Sequence, residues 1–578
     1  TNAIAFLEVL PFQGMSIKTL LNGTLSNSRL GQYWGEKCNA SRPTYAGSPH
    51  ASITNSTNYS YTWENIASYK KTIAEEHDLG LTFVTSWSKS INENSIAGGS
   101  GQELDSWSFY RLASAASQHV ESSYSKTQKM SFAARLNYSF RGKYLLTFSN
   151  RWDGVSWLSE GHKWDFFPAG AFAWRISDEN FMYSAKTWLD NLKLRIGYGV
   201  TGNAGGVGAY STQTNAYAYT GYGVSVNGKI ASFTQYTGTY GNPGLGWEKS
   251  YNLNIGLDFA VFNGRIDGAV EYFDTQTKDL LFKRTMPITS GVTGWGSPLS
   301  SWENIASTSN NGVELTLNTV NIQKENFKWN STLSLTWSKE KIKELPSGDL
   351  ISECLFEGEP IQSFYGYKYE GIWGTNASDN ELSTYGVRPG WVKVQTLEKD
   401  GDGGEHKYCE DDRQVLGHKN PDYIVGFNNT FSYKSFDLSI FLMGRFGQTI
   451  QSDLLGWYTA VQRATTNQPS GIDYWTESNQ GAYFPTPGSG NEQDGKVLQA
   501  FTYQNGSFVK VKNITLGYTL PKNISGKVFA DRCRIYATAY NPFIWVKSEQ
   551  LKETDPETNG SDSFPLYKQF VFGVNISF

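Results

Sequence analysis

Apolar and polar residues alternate with a period of two along much of this chain, most clearly at its carboxyl end. From position 570 onward, every second side chain is apolar: Phe570, Phe572, Val574, Ile576 and Phe578. Such alternation predicts a strand with one apolar face. In water, a flat apolar strand at the edge of a sheet is an aggregation site. The pattern therefore favours a closed barrel whose apolar face meets lipid.

The same alternation recurs in four further segments: 190–200, 251–260, 329–337 and 436–446. Charged residues in the middle of these segments are expected if the polar faces line the lumen of a barrel. The connection at 262–265 is short and contains an Asn-Gly turn signal, whereas 201–249 is a long excursion rich in Gly, Tyr and Thr. We predict an all-β fold, a transmembrane antiparallel β-barrel with long extracellular loops. At about 10 residues per crossing, it has on the order of 16 strands.

Composition narrows the classes of function. The 578 residues contain no run of about 18 apolar residues, so a protein that spans the membrane with helices is excluded. The net charge of −4 lacks the basic footprint of a nucleic-acid partner. The four cysteines lie far apart, which indicates neither a zinc site nor a disulfide scaffold. We find no motif of a hydrolase or a nucleotide-binding enzyme, and we do not expect an enzyme.

Longer strings carry specific motifs beyond the alternation. They are YLLTFSNRWDGVSWL and WDFFPAGAFAWRISDENFM within 144–182, LKLRIGYGVTGN at 192–203, NPGLGWEKSYNLNIGLDFA at 242–260, NPDYIVGFNNTFSYKSFDLSIFLMGRFG at 420–447 and the terminal FVFGVNISF. In sequence and in order, these strings resemble the SusC/RagA family of TonB-dependent outer-membrane transporters. The resemblance covers most of the chain from about residue 125 onward.

The resemblance implies a barrel of about 22 strands closed around an amino-terminal plug, the size class whose lumen is blocked. Residues 1–578 are then a single, incomplete barrel domain, with the signal peptide and the plug outside this chain. We interpret the chain as the carboxyl-terminal part of a longer polypeptide. The remainder is either a separate chain or a part not included here.

The resemblance also implies a function, namely active import of oligosaccharides across the outer membrane of a bacterial cell. Its expected partners are a SusD-like surface lipoprotein that acts as a lid, the TonB complex acting through the absent amino-terminal part, the plug and barrel remainder, and outer-membrane lipid. Import of oligopeptides by the same mechanism is the alternative, and a passive porin is less favoured. An adhesin, which would need repeats, and an outer-membrane enzyme remain as other classes.

Aromatic residues in Gly/Ser/Asn-rich loops are candidates for ligand contact. Their rings stack on the apolar faces of sugars, while neighbouring amides bind hydroxyl groups. The alternative is that these rings pack the loops against each other. The candidates for contact with substrate or lid are Trp107, Tyr110, Tyr217, Tyr219, Tyr222, Trp295, Trp457, Tyr474 and Trp475.

The acidic loop at 397–413 is the best candidate for a metal site. Asp400, Asp402 and Asp412 supply the hard oxygen ligands that calcium prefers. The loop is similar to an EF-hand-like segment of the SusC family, although Asp400-Gly-Asp402-Gly lacks the usual Asn and the distance to Asp412 is longer. We expect no required cofactor. A solvated acidic turn is the favoured interpretation of this loop, and a bound calcium ion is the alternative.

Overall fold

The computed structural model describes the chain except residues 39–47, 215, 227–228, 237–238, 287–292, 295–296, 299, 347, 398–406, 457–470 and 488–492. Side chains are described in the rest of the chain apart from 216–239, 293–298 and 528. No helix in this described part is both long and apolar enough to cross a membrane.

Strands dominate the described residues. They are β1 (Asn2–Val9), β2 (Met15–Trp34), β3 (His50–Ile73), β4 (His77–Ser100), β5 (Ser117–Phe140), β6 (Tyr144–Val155), β7 (Trp164–Arg175), β8 (Leu189–Asn203), β9 (Ala216–Val226), β10 (Lys229–Tyr236), β11 (Thr239–Tyr240), β12 (Glu248–Val261), β13 (Ile266–Lys278), β14 (Leu281–Thr285), β15 (Thr293–Gly294), β16 (Ser297–Pro298), β17 (Ser300–Asn304), β18 (Ser307–Gln323), β19 (Phe327–Glu344), β20 (Ser363–Gly366), β21 (Tyr369–Ile372), β22 (Val392–Val394), β23 (Gln414–His418), β24 (Tyr423–Tyr433), β25 (Phe436–Phe446), β26 (Thr449–Gln451), β27 (Tyr503–Asn505), β28 (Phe508–Thr519), β29 (Arg532–Val546) and β30 (Gln569–Ser577). Three α-helices lie wholly within the described residues, and all are short: α1 (Asp379–Tyr385), α2 (Gly495–Leu498) and α3 (Lys522–Ser525).

The chain divides into two compact units. The first contains Thr1–Arg175, Arg195–Leu253 and Gln276–Ser307, and the second contains Ile176–Leu194, Asn254–Thr275 and Thr308–Phe578. We describe each unit by itself. The prediction that 1–578 form one domain stays a prediction.

In the first unit, strands β1 to β7 pair antiparallel in chain order. The registers align large apolar side chains across one face of the sheet, where Leu21 lies opposite Trp63, Trp63 opposite Trp87, and Trp87 opposite Met130. All four side chains are exposed. The neighbouring row on the other face is polar and contains Asn22, Thr62, Ser88 and Lys129. The unit therefore has the faces that the alternation predicts.

In the second unit, β19, β24, β25, β28, β29 and β30 pair antiparallel in that order. One row of the sheet joins Leu438, Leu516, Ala537 and Phe572. On the opposite face, Asp437 accepts a hydrogen bond from Arg534 Nε at 2.9 Å. The predicted terminal strand is confirmed as β30, and its apolar residues are exposed.

Short and long connections alternate within each unit, as predicted. The short ones include 10–14, 74–76 and 141–143 in the first unit and 434–435 in the second. The long ones include 35–49 and 101–116 in the first unit, and 345–422, 447–507 and 547–568 in the second. In the turn at 74–76, Ala74 and Glu75 both have positive φ angles, which a tight hairpin turn requires.

The buried hydrophobic residues lie mainly in or beside the long connections. In the first unit, one cluster contains Val155, Leu158, Phe167, Ala204, Val207, Leu245 and Trp247. In the second unit, another contains Tyr367, Val392, Val394, Leu455, Val497, Leu498, Ala500 and Phe501. We call this second cluster the loop core. Water surrounds these connections, so they must bury their own apolar surface to hold a fixed conformation.

A charged cluster fixes the connection between β29 and β30. Lys510 is almost fully buried, and its ammonium pairs with Asp555 and, at 2.8 Å, with Glu557. Lys512 pairs with the same Glu557 at 2.8 Å. Although burial opposes it, the hydrogen bonds from both lysines lower the pKa of Glu557 below its usual value. The cluster therefore holds the connection against β28 with matched charges.

Candidate ligand-binding site

The described parts of two long connections of the second unit, 345–422 and 447–507, fold into one aromatic assembly. Short strands order them, since β20 pairs with β23, β21 with β22, and β26 with β27. The loop core fills the space beneath these strands, and Phe501 at its centre is fully buried. Tyr369, Tyr483 and Phe484 pack around Phe501 with ring centroids 5.8–6.5 Å away. The apolar core thus gives this polar assembly a fixed surface.

A cleft of ≈ 330 Å³ opens on this assembly, and we call it the tyrosine cleft. It is lined by Tyr367, Lys368, Tyr369, Leu416, Thr449, Tyr483, Ala500, Tyr503, Gln504 and Asn505. Four tyrosine rings, a threonine hydroxyl and two side-chain amides therefore converge on one cavity. Apolar and aromatic walls with a few polar groups are typical of ligand sites.

Most of these tyrosine hydroxyls form hydrogen bonds within the protein. Tyr367 donates to the carbonyl of Cys409 at 3.0 Å, and Tyr369 donates to the carbonyl of Tyr483 at 2.8 Å. Burial raises the pKa of Tyr367 to about 12 and also raises that of Tyr503. These side chains are therefore neutral at physiological pH, and their contribution to the cleft is the ring surface.

Gln504 is held rigidly at the edge of the cleft. Its amide nitrogen donates to the carbonyl of Phe501 at 2.6 Å and to the hydroxyl of Tyr483 at 2.5 Å. Its amide oxygen accepts from Ser548 at 2.6 Å. By contrast, neighbouring Asn505 is exposed, and its amide nitrogen makes no hydrogen bond to another described residue. Asn505 is therefore the amide that a ligand can use.

Tyr474 and Trp475 lie beside the loop core rather than in this cleft. Trp475 is 6 % exposed, and Gly390 packs so closely against it that a Cβ atom at that glycine would lie 2.7 Å from the indole ring. Its backbone N–H donates to Phe484 at 2.8 Å. Tyr474 is 43 % exposed and can reach an external molecule without rearrangement. Trp475 packs against other loop residues, which is the alternative that the sequence analysis gave for these aromatic candidates. Ligand contact by Tyr474 or Trp475 stays a prediction.

Trp107 and Tyr110 belong to the first unit, in the connection between β4 and β5. The guanidinium of Arg111 lies 4.9 Å from the centroid of the Trp107 ring, and Phe109 packs on Tyr110 with ring centroids 4.4 Å apart. Tyr110 is 74 % exposed. It is the more accessible of the two predicted contacts.

The remaining aromatic candidates cannot be placed by their side chains. Tyr217, Tyr219 and Tyr222 lie in β9, which pairs with β10, and only their backbone is described. The excursion at 201–249 thus contains a hairpin that the sequence pattern did not reveal. Trp295 and Trp457 lie outside the described residues.

The acidic loop is described only at its base. Asp400 and Asp402 lie outside the described residues, whereas Asp412 is fully buried. Each oxygen of the Asp412 carboxylate accepts a backbone N–H at 2.9 Å, one from Leu397 and one from Cys409. The carboxylate therefore joins the two ends of the loop. Within the described part of the chain, no group of three or more His, Cys, Asp or Glu is arranged to hold a metal ion, and the calcium site stays a prediction.

A second, polar cleft of ≈ 560 Å³ lies where β18, β19 and β24 begin or end. Asn420 donates to Glu340 at 3.0 Å, and His418 lies 3.6 Å from Asp422. Sequence reasoning missed this cleft and the tyrosine cleft alike. Their residues come from distant segments, and only the NPDY string at 420–423 marked any part of them.

Comparison with known proteins identifies the family to which this chain belongs. The profile of the family described as "TonB dependent receptor-like, beta-barrel" matches residues 17–541. TonB-dependent receptor P3 of Formosa agariphila is 31 % identical over an alignment of 550 positions, which covers 89 % of this chain and 52 % of that protein. TonB-dependent receptor SusC of Bacteroides thetaiotaomicron is 29 % identical over an alignment of 470 positions, which covers 78 % of this chain and 44 % of SusC. The chain thus spans about half the length of these relatives.

The fold has a close counterpart among solved structures. The structure described as the RagAB peptide transporter superposes with a TM-score of 0.82 at 23 % identity, covering all of this chain and 61 % of that one. The resemblance to SusC/RagA-type proteins and the predicted barrel fold are confirmed. A family of receptors also fits the expectation that the chain is not an enzyme. The chain belongs to the TonB-dependent receptors, and its long strands are part of the β-barrel that those proteins place in the bacterial outer membrane.

Proposed function

We propose that this chain is the barrel part of a SusC-like importer that takes up oligosaccharides across the outer membrane. The observation that carries the proposal is the tyrosine cleft, with neutral rings, one accessible amide at Asn505 and the hydroxyl of Thr449. Sugar rings offer apolar faces for stacking and hydroxyl groups for hydrogen bonds. A cleft of ≈ 330 Å³ is at the lower end of ligand sites. It therefore suits a subsite for part of a longer glycan.

The whole importer needs components beyond this chain. By analogy with SusC, we propose a SusD-like surface lipoprotein as a lid, the amino-terminal plug as the gate, and the TonB complex as the source of energy. The exposed Tyr110 and Tyr474 are proposed to contact either the substrate or this lid. A passive porin is disfavoured because the resemblance to SusC implies a plugged lumen.

Oligopeptides are the second candidate substrate. The RagAB complex is described as a peptide transporter, and its fold is similar. In this chain, the exposed ammonium of Lys368 at the cleft provides a partner for a carboxylate. The same barrel and lid would serve either cargo, so the choice rests on what the cleft retains.

The test is a binding comparison on the complete receptor with its lipoprotein. A panel of neutral oligosaccharides and a panel of oligopeptides are titrated against wild type, Tyr503→Ala and Tyr503→Phe. We expect wild type to bind neutral oligosaccharides, Tyr503→Ala to weaken binding about fivefold to tenfold through loss of stacking, and Tyr503→Phe to retain it. Retention of peptides with no glycan bound would overturn the proposal in favour of the second candidate.

A further inference from the structure

The polar cleft lies beside the tyrosine cleft, because strand β23 contributes to both. Leu416 lines the tyrosine cleft, and His418 lines the polar cleft about 7 Å further along the same strand. Between them, a Cβ atom at Gly417 would overlap the hydroxyl of Thr449, so this residue of the tyrosine cleft packs directly against β23. An oligomer of a few units that binds in one cleft can therefore extend into the other.

The polar cleft contains an excess of acidic side chains. Glu340, Glu359 and Asp422 line it, together with the ammonium of Lys339. Even with a proton on His418, three negative and two positive charges leave an excess of one negative charge. Among the described residues that line this cleft there is no Phe, Tyr or Trp. The polar cleft is therefore built for a donor-rich or positively charged group, whereas the tyrosine cleft is built for stacking.

Two acceptors in the polar cleft are available to a ligand. The side-chain oxygen of Asn310 is buried and has no hydrogen-bond partner among the described residues. The carboxylate of Glu359 makes no hydrogen bond or ion pair with another described side chain. The backbone carbonyl of Glu359 accepts from Ile342 at 2.8 Å, which fixes this residue at the end of β19. A buried acceptor without a donor costs free energy, and a ligand that donates to it recovers that cost.

We propose that the polar cleft holds an amino-sugar unit of the imported oligosaccharide, while a neighbouring unit stacks in the tyrosine cleft. The ammonium of the amino sugar donates to Glu359, and a further donor of the same unit reaches Asn310. An ammonium supplies three donors together with the positive charge that this cleft lacks, whereas a hydroxyl supplies one donor and no charge. The inference rests on the proposed function, since it names the kind of glycan that the importer takes up.

Two tetrasaccharides separate the effect of charge from the effect of shape. Chitotetraose consists of glucosamine and has the backbone of cellotetraose, but it carries an ammonium where cellotetraose carries a hydroxyl. Binding of each is measured by calorimetry on the complete receptor with its lipoprotein, at about pH 6, where carboxylates are ionised. We expect wild type to bind chitotetraose about tenfold more tightly, because a hydrogen bond between charged groups is stronger than one between neutral groups.

Three variants locate this preference in the cleft. Glu359→Gln keeps the shape of the side chain and removes its charge, so it should abolish the preference for chitotetraose and leave cellotetraose binding unchanged. Glu344→Gln is the matched control, since Glu344 is exposed on β19 outside the lining of the cleft, and it should behave like wild type. Asn310→Leu removes the unpartnered acceptor and should weaken both sugars about fivefold. Heat-modifiable electrophoresis of each variant establishes that the barrel is folded.

The outcomes distinguish this inference from the proposed function. Equal affinity of wild type for the two tetrasaccharides, or an unchanged preference in Glu359→Gln, would overturn the amino-sugar site, while cellotetraose binding that Tyr503→Ala weakens would still support the importer. Tetra-alanine is titrated in parallel. If it binds more tightly than chitotetraose and loses affinity in Glu359→Gln, the ammonium belongs to a peptide and the amino-sugar site is overturned. Absence of binding by both sugars would overturn the inference together with the proposed function.

Discussion

Phe572 in the terminal strand and Phe501 in the loop core are both phenylalanines, but their surroundings are opposite. Phe572 is 81 % exposed, whereas Phe501 is 0 % exposed. The strands turn most of their apolar side chains outward, whereas the long connections bury theirs. The difference follows from the solvent, because lipid covers the outer face of the strands while the connections stand in water. Among the described residues, the buried core therefore lies mainly in or beside the long connections.

The two regions place different requirements on the sequence. A strand in a barrel only needs the correct residue type at every second position, since lipid adapts to the shape of the side chains. The loop core needs particular shapes, because rings such as Tyr369 and Phe484 must pack around Phe501. Substitutions should therefore act differently in the two regions.

The largest effect is expected from truncation in the loop core. Phe501→Ala removes a fully buried ring and should destabilise the folded connections by about 3–5 kcal/mol. Hydrogen exchange of backbone amides in 363–372 and 495–505 would report this as faster local opening. Phe572→Ala is the control on the strand face and should leave exchange in these connections unchanged. Equal exchange in both variants would mean that the loop core does not order the cleft.

The strand faces can be tested with two adjacent residues. Phe83 lies on the exposed apolar face of β4, and Thr82 lies on the other face. Phe83→Lys should cost about 2–4 kcal/mol if its position is near the middle of the bilayer, whereas Thr82→Lys should cost much less. Urea titration of the full receptor in lipid vesicles gives both values. A larger cost for Thr82→Lys would reverse the assignment of the two faces.

The smallest effect concerns the base of the acidic loop. Asp412→Asn leaves one acceptor oxygen for two backbone N–H groups and should cost about 1–3 kcal/mol of local stability. Exchange at the amides of Leu397 and Cys409 measures this loss directly.

The same assay decides on calcium. A bound ion should slow exchange at these amides in wild type, and a chelator should reverse that protection. If the chelator has no effect on wild type, Asp412 acts only as a structural acceptor. A chelator effect that persists in Asp412→Asn would locate the ion elsewhere.

Much of the barrel could be predicted from the sequence because its signal is local. In β30, the alternation from Phe570 to Ile576 is complete within a few residues and depends on no distant contact. Exposed turns such as 262–265 likewise carry their own Asn-Gly signal. The fold class therefore followed from short windows, and the specific strings added the family.

The cleft could not be predicted in this way. Tyr369 and Tyr483 are 114 positions apart in sequence, yet a hydrogen bond joins the hydroxyl of one to the carbonyl of the other. Neither residue lies in a periodic segment that would place them together. Trp475 shows the converse problem, because a Trp in a Gly-rich loop looks exposed until Gly390 is found packed against it. Such pairings depend on how the connections fold, which short windows do not encode.

The 24-residue strands β3, β4 and β5 are about twice as long as a membrane crossing requires. At about 3.3 Å per residue, a length of several tens of ångströms extends beyond the hydrocarbon as paired sheet. At the cell surface, this part of the receptor is a stiff wall in which β4 is hydrogen-bonded on both sides. Proteases bind extended, unpaired backbone, so digestion of intact cells should spare this wall. Bacteriophages and antibodies that bind this part of the receptor would contact a rigid surface.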